Sequence, residues 1–397
     1  MKIAHIVRRF SFDEWGGTES VVWHIARQQK AQGLLPEILC TAALDKAGTE
    51  VVEGITIRRF PYFYPYFPMP ARDRLALDKK GGNPFSPHLV KALKEGNYQI
   101  FHIHAGARLA NAAIRVGKSL GVPTLMTLHG GSCAIPEQEM ALMLQPLKYK
   151  FTYGGIIDRM YHYVKVPEAH ADLLLALSHE ELIRLQSCHP GTKVEFFPNG
   201  ILHRELPEAG DFRKKYNIPE DKKVILCISR IDYQKNQKIL LELIKSHADT
   251  HLLLIGPVTA QWYLDELLLE AENHDLKERL TVIPGLAPDS VELLQALKTA
   301  HCFVLPSRHE PFGIAALEAL DAELPLIASK VGGLKDFLSD GENALLFEDD
   351  DPASLLESYS RIDTLREKLI AKGRETAAHY NWQNIAANLT AIYRGLL

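Results

Sequence analysis

The sequence predicts an α/β protein made of two doubly wound domains in tandem, and three observations carry that prediction. Short apolar, β-branched runs recur along the 397 residues, separated by stretches of helical periodicity, which is the pattern of parallel βα units. The scheme runs through twice, on either side of the turn signal Phe197-Pro198-Asn199-Gly200. The length also suits two or three domains of about 150 residues each. The expected organisation is a Rossmann-like domain over 1–198, a second over 199–378, and a C-terminal helix over 379–397 that returns to the first.

In order, the first half shows strands at Ile3–Val7, Glu37–Cys40, Ile55–Phe60, Ile100–His104, Thr124–Leu128, Leu173–Leu177 and Val194–Phe197. The first helix is expected from Glu19 to Gln29, with Val21, Val22, Ile25 and Ala26 on one face, Thr18 as N-cap and Gly33 just past its end. Strands in the second half are expected at Val224–Ile228, His251–Ile255, Thr281–Ile283, Cys302–Leu305, Leu326–Ala328 and Ala344–Phe347. The segment from Asn381 to Leu397 is amphipathic.

Composition excludes several classes. At 46% hydrophobic and 24% charged the chain is globular, with no disordered block. No apolar run reaches the ~18 residues of a membrane span. The opening Met1-Lys2-Ile3-Ala4-His5-Ile6-Val7 reads as a strand rather than a signal peptide. Five cysteines (Cys40, Cys133, Cys188, Cys227, Cys302) with no CxxC pair suit a reducing cytoplasm, and neither a disulfide framework nor structural zinc is expected. Residues 1–198 carry 23 Lys/Arg against 18 Asp/Glu, while the remainder carries 22 against 31. A basic first half suits an anionic acceptor or an anionic membrane surface, and equally suits scatter on a soluble surface.

The chemistry concentrates in Ser307-Arg308-His309-Glu310-Pro311-Phe312-Gly313-Ile314-Ala315-Ala316-Leu317-Glu318. Here an apolar strand turns into a helix, with Pro311 expected at the first helical position. Continuous helix would set Glu318 about 10–12 Å deeper than Glu310. The free N–H groups of Phe312, Gly313 and Ile314 lie between the two carboxylates and can bind an anion. An anion flanked by two hydroxyl-binding carboxylates describes a nucleoside-diphosphate sugar.

This segment resembles the donor-site motif of the retaining glycosyltransferases of family four, which have the GT-B fold of two Rossmann-like domains facing across a cleft. The resemblance runs along nearly the whole chain and thins in 41–95. It implies that Glu310 binds sugar hydroxyls and Glu318 the nucleotide ribose. It also implies that Arg230 and Lys235, in the loop after strand Val224–Ile228, bind the donor diphosphate. That role suits the bidentate grip of Arg and the point charge of Lys. Gly16 and Gly17 after the first strand resemble the glycine loop that lies against the donor phosphates. They do not form G-x-G-x-x-G, which counts against a dinucleotide-binding oxidoreductase. His129 stands where the family has a histidine beside the donor sugar. Gly332-Gly333 resembles its glycine turn near the base. Three positions depart from the pattern: Leu202 replaces an acid, Ser229 a glycine and Asp336 a glutamate.

Other features read more plainly. His102 and His104 would share a strand face as a structural pair, with no third histidine nearby in sequence. Asp349-Asp350-Asp351 before Pro352 reads as a helix N-terminal charge cluster rather than a metal site. The aromatic, proline-rich run Pro61 to Pro70 is either an acceptor or membrane contact, or a packed loop over the first domain. The expected activity is metal-independent hexosyl transfer, without a cofactor, from a nucleotide sugar to a glycan or lipid-linked acceptor. Its expected setting is glycan, glycolipid or cell-surface polysaccharide synthesis in the cytoplasm, with peripheral association at the inner membrane face and no nucleic-acid partner. Glu310, His129, Arg230 and Lys235 would serve catalysis; the donor site would comprise Gly16, Gly17, Arg230, Lys235, Glu310, Phe312, Gly313, Ile314 and Glu318. Two alternatives are a nucleotide-sugar 2-epimerase of the same architecture and a non-catalytic nucleotide-sugar-binding protein.

Overall fold

A computed structural model describes residues 1–13, 16–129, 144–287 and 290–397. The chain divides into two compact units, Met1–Asn199 with Trp382–Leu397, and Gly200–Asn381.

In the first unit the elements run β1 (Lys2–Arg9), α1 (Gly17–Ala31), β2 (Leu35–Thr41), β3 (Gly48–Val52), β4 (Ile55–Phe60), β5 (Tyr66–Phe67), α2 (Ala71–Lys80), α3 (Pro87–Glu95), β6 (Ile100–Ile103), α4 (Ala107–Leu120), β7 (Thr124–Thr127), β8 (Phe151–Thr152), α5 (Gly154–Met160), β9 (Leu173–Ala176), α6 (His179–Cys188) and β10 (Val194–Phe196). Their main sheet has the order β10-β9-β7-β6-β1-β2-β4-β3, parallel except for β3. The inner strands are buried on both faces because helices cover both sides, as a parallel sheet requires. Ile3, Ala4, Ile6, Ile103 and Leu174 are fully or almost fully buried.

The second unit contains α7 (Phe212–Lys215), β11 (Lys223–Ile228), α8 (Leu240–Ser246), β12 (Thr250–Ile255), α9 (Gln261–Asn273), β13 (Leu280–Ile283), α10 (Val291–Thr299), β14 (Cys302–Leu305), α11 (Ile314–Asp321), β15 (Leu326–Ser329), β16 (Leu345–Phe347), α12 (Pro352–Ser360) and α13 (Ile362–His379). The sheet order β13-β12-β11-β14-β15-β16 is parallel throughout. The last helix, α14 (Trp382–Leu396), belongs to the first unit. There Trp382 stacks on His24 of α1 and Thr390 donates to Gln32.

Strand order sets where a ligand can sit. In the second unit the chain winds from β11 outward through β12 and β13, then returns to place β14 on the other side of β11. Loops after β11 and β14 therefore diverge at a topological switch point, the place where doubly wound sheets bind ligands. In the first unit β1 and β6 form the corresponding switch.

Several local expectations are corrected. Strand β3 was not expected: all but one of its five residues are exposed, so it carries no apolar signal. β5, inside the aromatic run, pairs antiparallel with β8. Helix α1 starts at Gly17 and is capped by Gly16 without a side-chain bond, so Thr18 lies in the first turn rather than at the N-cap. Pro311 is not the first helical residue either. Gly313, in the left-handed region at φ 103°, is the N-cap, and α11 begins at Ile314. Only the steps from Ile314 to Glu318 are helical, about 6 Å of rise, so the continuous-helix basis for a 10–12 Å separation is lost.

Candidate functional site

In the second unit, the loops after β11 and β14 are stitched together. The Lys235 ammonium lies 2.5 Å from Glu310 Oε2, and Ser307 Oγ donates to the same oxygen at 3.2 Å. Arg308 N–H donates to the Gln234 carbonyl at 2.8 Å, and the Arg308 guanidinium lies over the Tyr233 ring. Asp232 caps the short 3₁₀ turn at Tyr233–Lys235 by accepting from Lys235 N–H. That turn fixes the lysine stem while leaving its head at the switch point. Arg230 is different. Its side chain is 47% exposed and held loosely by Asp232 at 3.3 Å and Gln234 at 3.3 Å, so it can reorient toward an anion with little loss.

A glycine turn holds the Glu310 backbone from behind. Gly333 N–H donates to the Glu310 carbonyl at 2.9 Å. A Cβ at Gly332, where φ is +47°, would lie 2.1 Å from that carbonyl oxygen, so a side chain there would push the carboxylate loop out of place. Gly313 is also required: a Cβ would meet Leu334 Cδ2 at 2.4 Å. The N–H groups of Phe312, Gly313 and Ile314 have no acceptor among the described residues, and they remain available to an anion.

Glu318, one turn into α11, pairs with Arg204 at 2.9 Å. Arg204 N–H and the His203 ring both reach Asp321. This cluster was not expected, because Arg204 and Glu318 are 114 residues apart and no motif marks the Arg204 flank. Asp351 behaves as expected, capping α12 by accepting from Ala353 and Ser354 N–H. Asp350 pairs with Arg308 at 2.7 Å.

The first unit carries Gly16 and Gly17 after β1, at the β1–β6 switch, and His129 after β7, the next strand beyond β6. A Cβ at Gly17 would meet nothing within 4 Å among the described residues. The adjoining buried carboxylate of Glu19 pairs with Arg9 at 3.2 Å, and burial raises its pKa. His129 follows β7 with φ 49°, a left-handed backbone unusual for a non-glycine residue; Gly130 and Gly131 lie outside the described residues. Burial pushes the His129 imidazole down to about 4. Its Nε2 lies 2.9 Å from His104 Nδ1.

His102 and His104 are each hydrogen-bonded, as the structural pair expected, and the fold adds a third histidine that is remote in sequence. His5 in β1 pairs in register with His102 in β6, and His5 Nδ1 lies 3.1 Å from His104 Nε2. The strands that bring them together are about a hundred residues apart, so local sequence gives no sign of it. The aromatic run divides its residues by side. Tyr62 and Tyr64 point inward and donate to Asp78 at 2.7 and 2.8 Å, while Phe63 and Phe67 are exposed. The four described cysteines are free, and among the described residues no helix is long and apolar enough to cross a membrane.

Comparison with known proteins gives the family and the fold. Residues 15–203 match the model of Glycosyltransferase Family 4 and residues 209–376 that of Glycosyl transferases group 1. The chain is 26% identical to D-inositol 3-phosphate glycosyltransferase 1 of Catenulispora acidiphila, over 96% of this chain and 91% of that one. It is 25% identical to the phosphatidyl-myo-inositol mannosyltransferase of Mycobacterium leprae, over 97% and 94%. Among solved structures, sucrose-phosphate synthase from Thermosynechococcus elongatus superposes with a TM-score of 0.73 at 22% identity, covering 100% of this chain and 98% of that one. HepE of Anabaena in complex with UDP and glucose gives 0.73 at 16% identity, with 100% of each chain covered.

Proposed function

The chain belongs to the group 1 glycosyltransferases of family four, with the GT-B fold, and we propose that it moves a hexosyl group from a nucleoside-diphosphate sugar to an acceptor hydroxyl with retention of configuration. The observation that carries this reading is the Lys235–Glu310 pair at the switch point, beside the unbonded N–H groups that open α11. A cation, a carboxylate and a helix N-terminus together match a diphosphate joined to a polyol.

In this mechanism Arg230, Lys235 and the Phe312–Ile314 amides take up the charge that develops on the departing diphosphate. Glu310 orients the hexose, Glu318 holds the ribose after exchanging Arg204 for it, and His129 contacts the reacting sugar. The acceptor oxygen forms its bond to the anomeric carbon on the face the diphosphate leaves, and the diphosphate oxygen receives the acceptor's proton. Catalysis is then mainly positioning, and no divalent metal is needed.

The first unit would bind the acceptor. Exposed Tyr149, Phe151, Ile156 and Met160 lie near exposed Lys148, Arg159 and Lys165 in sequence, and exposed Phe67 pairs in register with Phe151. Apolar side chains flanked by cations suit an anionic membrane surface presenting a lipid-linked acceptor.

A panel of UDP, GDP and ADP sugars tested by thermal shift and by turnover decides the reading. A matching donor at about 100 times its Kd stabilises by about 2.7 kcal/mol and gives a glycosylated acceptor. An epimerised nucleotide sugar formed without acceptor would replace transfer by epimerisation. Stabilisation without any turnover would leave a binding protein.

A further inference from the structure

Inside the first unit, seven side chains form one continuous hydrogen-bonded chain. From His129 Nε2 it runs to His104 Nδ1 at 2.9 Å, from His104 Nε2 to His5 Nδ1 at 3.1 Å, and from His5 Nε2 to Gln29 Oε1 at 2.8 Å. Gln29 Nε2 continues to Tyr393 Oη at 3.3 Å, Tyr393 Oη to His102 Nδ1 at 2.6 Å, and His102 Nε2 to Thr127 Oγ1 at 2.8 Å. His5, Gln29, His102 and Tyr393 are wholly buried. We propose that Gln29 and Tyr393 are positioning residues that hold His129 as the Nε2–H tautomer, so that its Nδ1 meets a ligand hydroxyl as a hydrogen-bond acceptor.

Proton counting gives the argument. A neutral imidazole carries one N–H, so each ring must donate at one nitrogen and accept at the other. Burial keeps these rings neutral. The chain therefore has only two consistent polarities, and the direction at one end dictates the other. Gln29 Nε2 donates to Tyr393 Oη, which leaves the Tyr393 hydroxyl proton for His102 Nδ1 at 2.6 Å. Gln29 Oε1 then faces His5 and accepts from His5 Nε2–H. His5 Nδ1 accepts from His104, and His104 Nδ1 accepts from His129 Nε2–H. His129 Nδ1, which has no hydrogen bond to any described residue, is left as a lone pair. Turning the Gln29 amide over would reverse every step and present an N–H instead.

The same count argues against a cation in the cluster. His5, His102 and His104 have ligand atoms within 4.8 Å of one another. Yet all six of their ring nitrogens are engaged, so a metal would have to break bonds already made. Read with the proposed hexosyl transfer, on which this consequence rests, a sugar hydroxyl donates to His129 rather than accepting from it.

The test is a two-bond proton–nitrogen NMR correlation of the imidazoles in the full chain labelled with ¹⁵N-histidine. His5, His102, His104 and His129 should all appear as Nε2–H tautomers. Tyr393→Phe removes the donor to His102 and the acceptor of the Gln29 NH₂, and Gln29→Met cuts the chain. In either variant the His129 pattern should change to Nδ1–H or a mixture, and kcat should fall by on the order of tenfold with little change in donor KM. An Nδ1–H His129 in the wild type, or an unchanged His129 pattern in both folded variants, overturns the proposal. So does one equivalent of Zn²⁺ shifting His5, His102 and His104 together. If no nucleotide sugar is turned over, the proposed function fails while the tautomer result stands on its own.

Discussion

Replacing Lys235 by Met tests the centre of the proposed donor site, because it removes the charge while keeping most of the stem. At 2.5 Å two unit charges attract by about 7 kcal/mol at an effective dielectric of 20 and by about 1.7 kcal/mol in water. With the Lys235 and Glu310 side chains 14% and 12% exposed, the pair lies toward the first figure. Most of that attraction only repays the hydration both groups lose, which leaves a net coupling of about 2 kcal/mol. Lys235→Met, Glu310→Gln and the double variant close a cycle that measures it. Amide hydrogen exchange in peptides spanning 302–320 reads the local stability. The lysine variant should exchange about 30-fold faster there, and Glu310→Gln should recover part of the loss. Nucleotide-sugar turnover by Lys235→Met should fall by on the order of 30-fold or more, since a diphosphate oxygen also loses its cation. A coupling below about 0.5 kcal/mol together with near wild-type turnover would refute the reasoning, because the pair would then be neither structural nor in the site.

Glu310→Gln should impair transfer more than binding of the bare nucleoside diphosphate, whereas Glu318→Gln should weaken both; calorimetry with the nucleoside diphosphate separates them, and equal losses would dissolve the division of roles. Turnover should persist in excess EDTA; loss restored by Mg²⁺ or Mn²⁺ would bring Asp349 to Asp351 back as candidates. Acid should destabilise the first unit. His5, facing His102, His104 and Gln29, is depressed from 6.5 to about 4 by burial, so between those values the unfolded chain binds the proton that the folded chain refuses. Stability should be full above pH 6.5 and fall toward pH 4, by about 3 kcal/mol from His5 alone, and a flat profile of denaturation midpoint against pH would contradict this. Anionic vesicles should sediment the chain more than neutral ones, and Phe67→Ser with Phe151→Ser should reduce that; equal sedimentation on both vesicle types would count against a membrane-facing patch.

Much of the fold was legible because its signals are local. Runs such as Val224–Ile228 and Cys302–Leu305 are buried on both faces, so each reads as an uninterrupted apolar run within a few residues. The segment from Ser307 to Glu318 was legible for the same reason, since a strand end, a glycine turn and two carboxylates fall within one short window. Strand β3 was missed because an exposed edge strand need not be apolar. Pro311 misled because the left-handed Gly313 delays the helix by three residues. A Cβ there would also meet Leu334 Cδ2 at 2.4 Å, a contact that no residue near Gly313 encodes.

The sequence by itself determined the parallel βα architecture, its repetition and the residue types at the candidate donor site, since hydrophobic period and turn chemistry act over about ten residues. The tertiary structure alone decided which side chains meet. Strand order set β11 beside β14 and so brought Lys235 to Glu310 across 75 residues. Register set His5 beside His102, and α14 carried Tyr393 to Gln29 across 364 residues. Contacts of that span depend on the winding of a whole sheet and on the helix that closes over it. No window of sequence is wide enough to hold them.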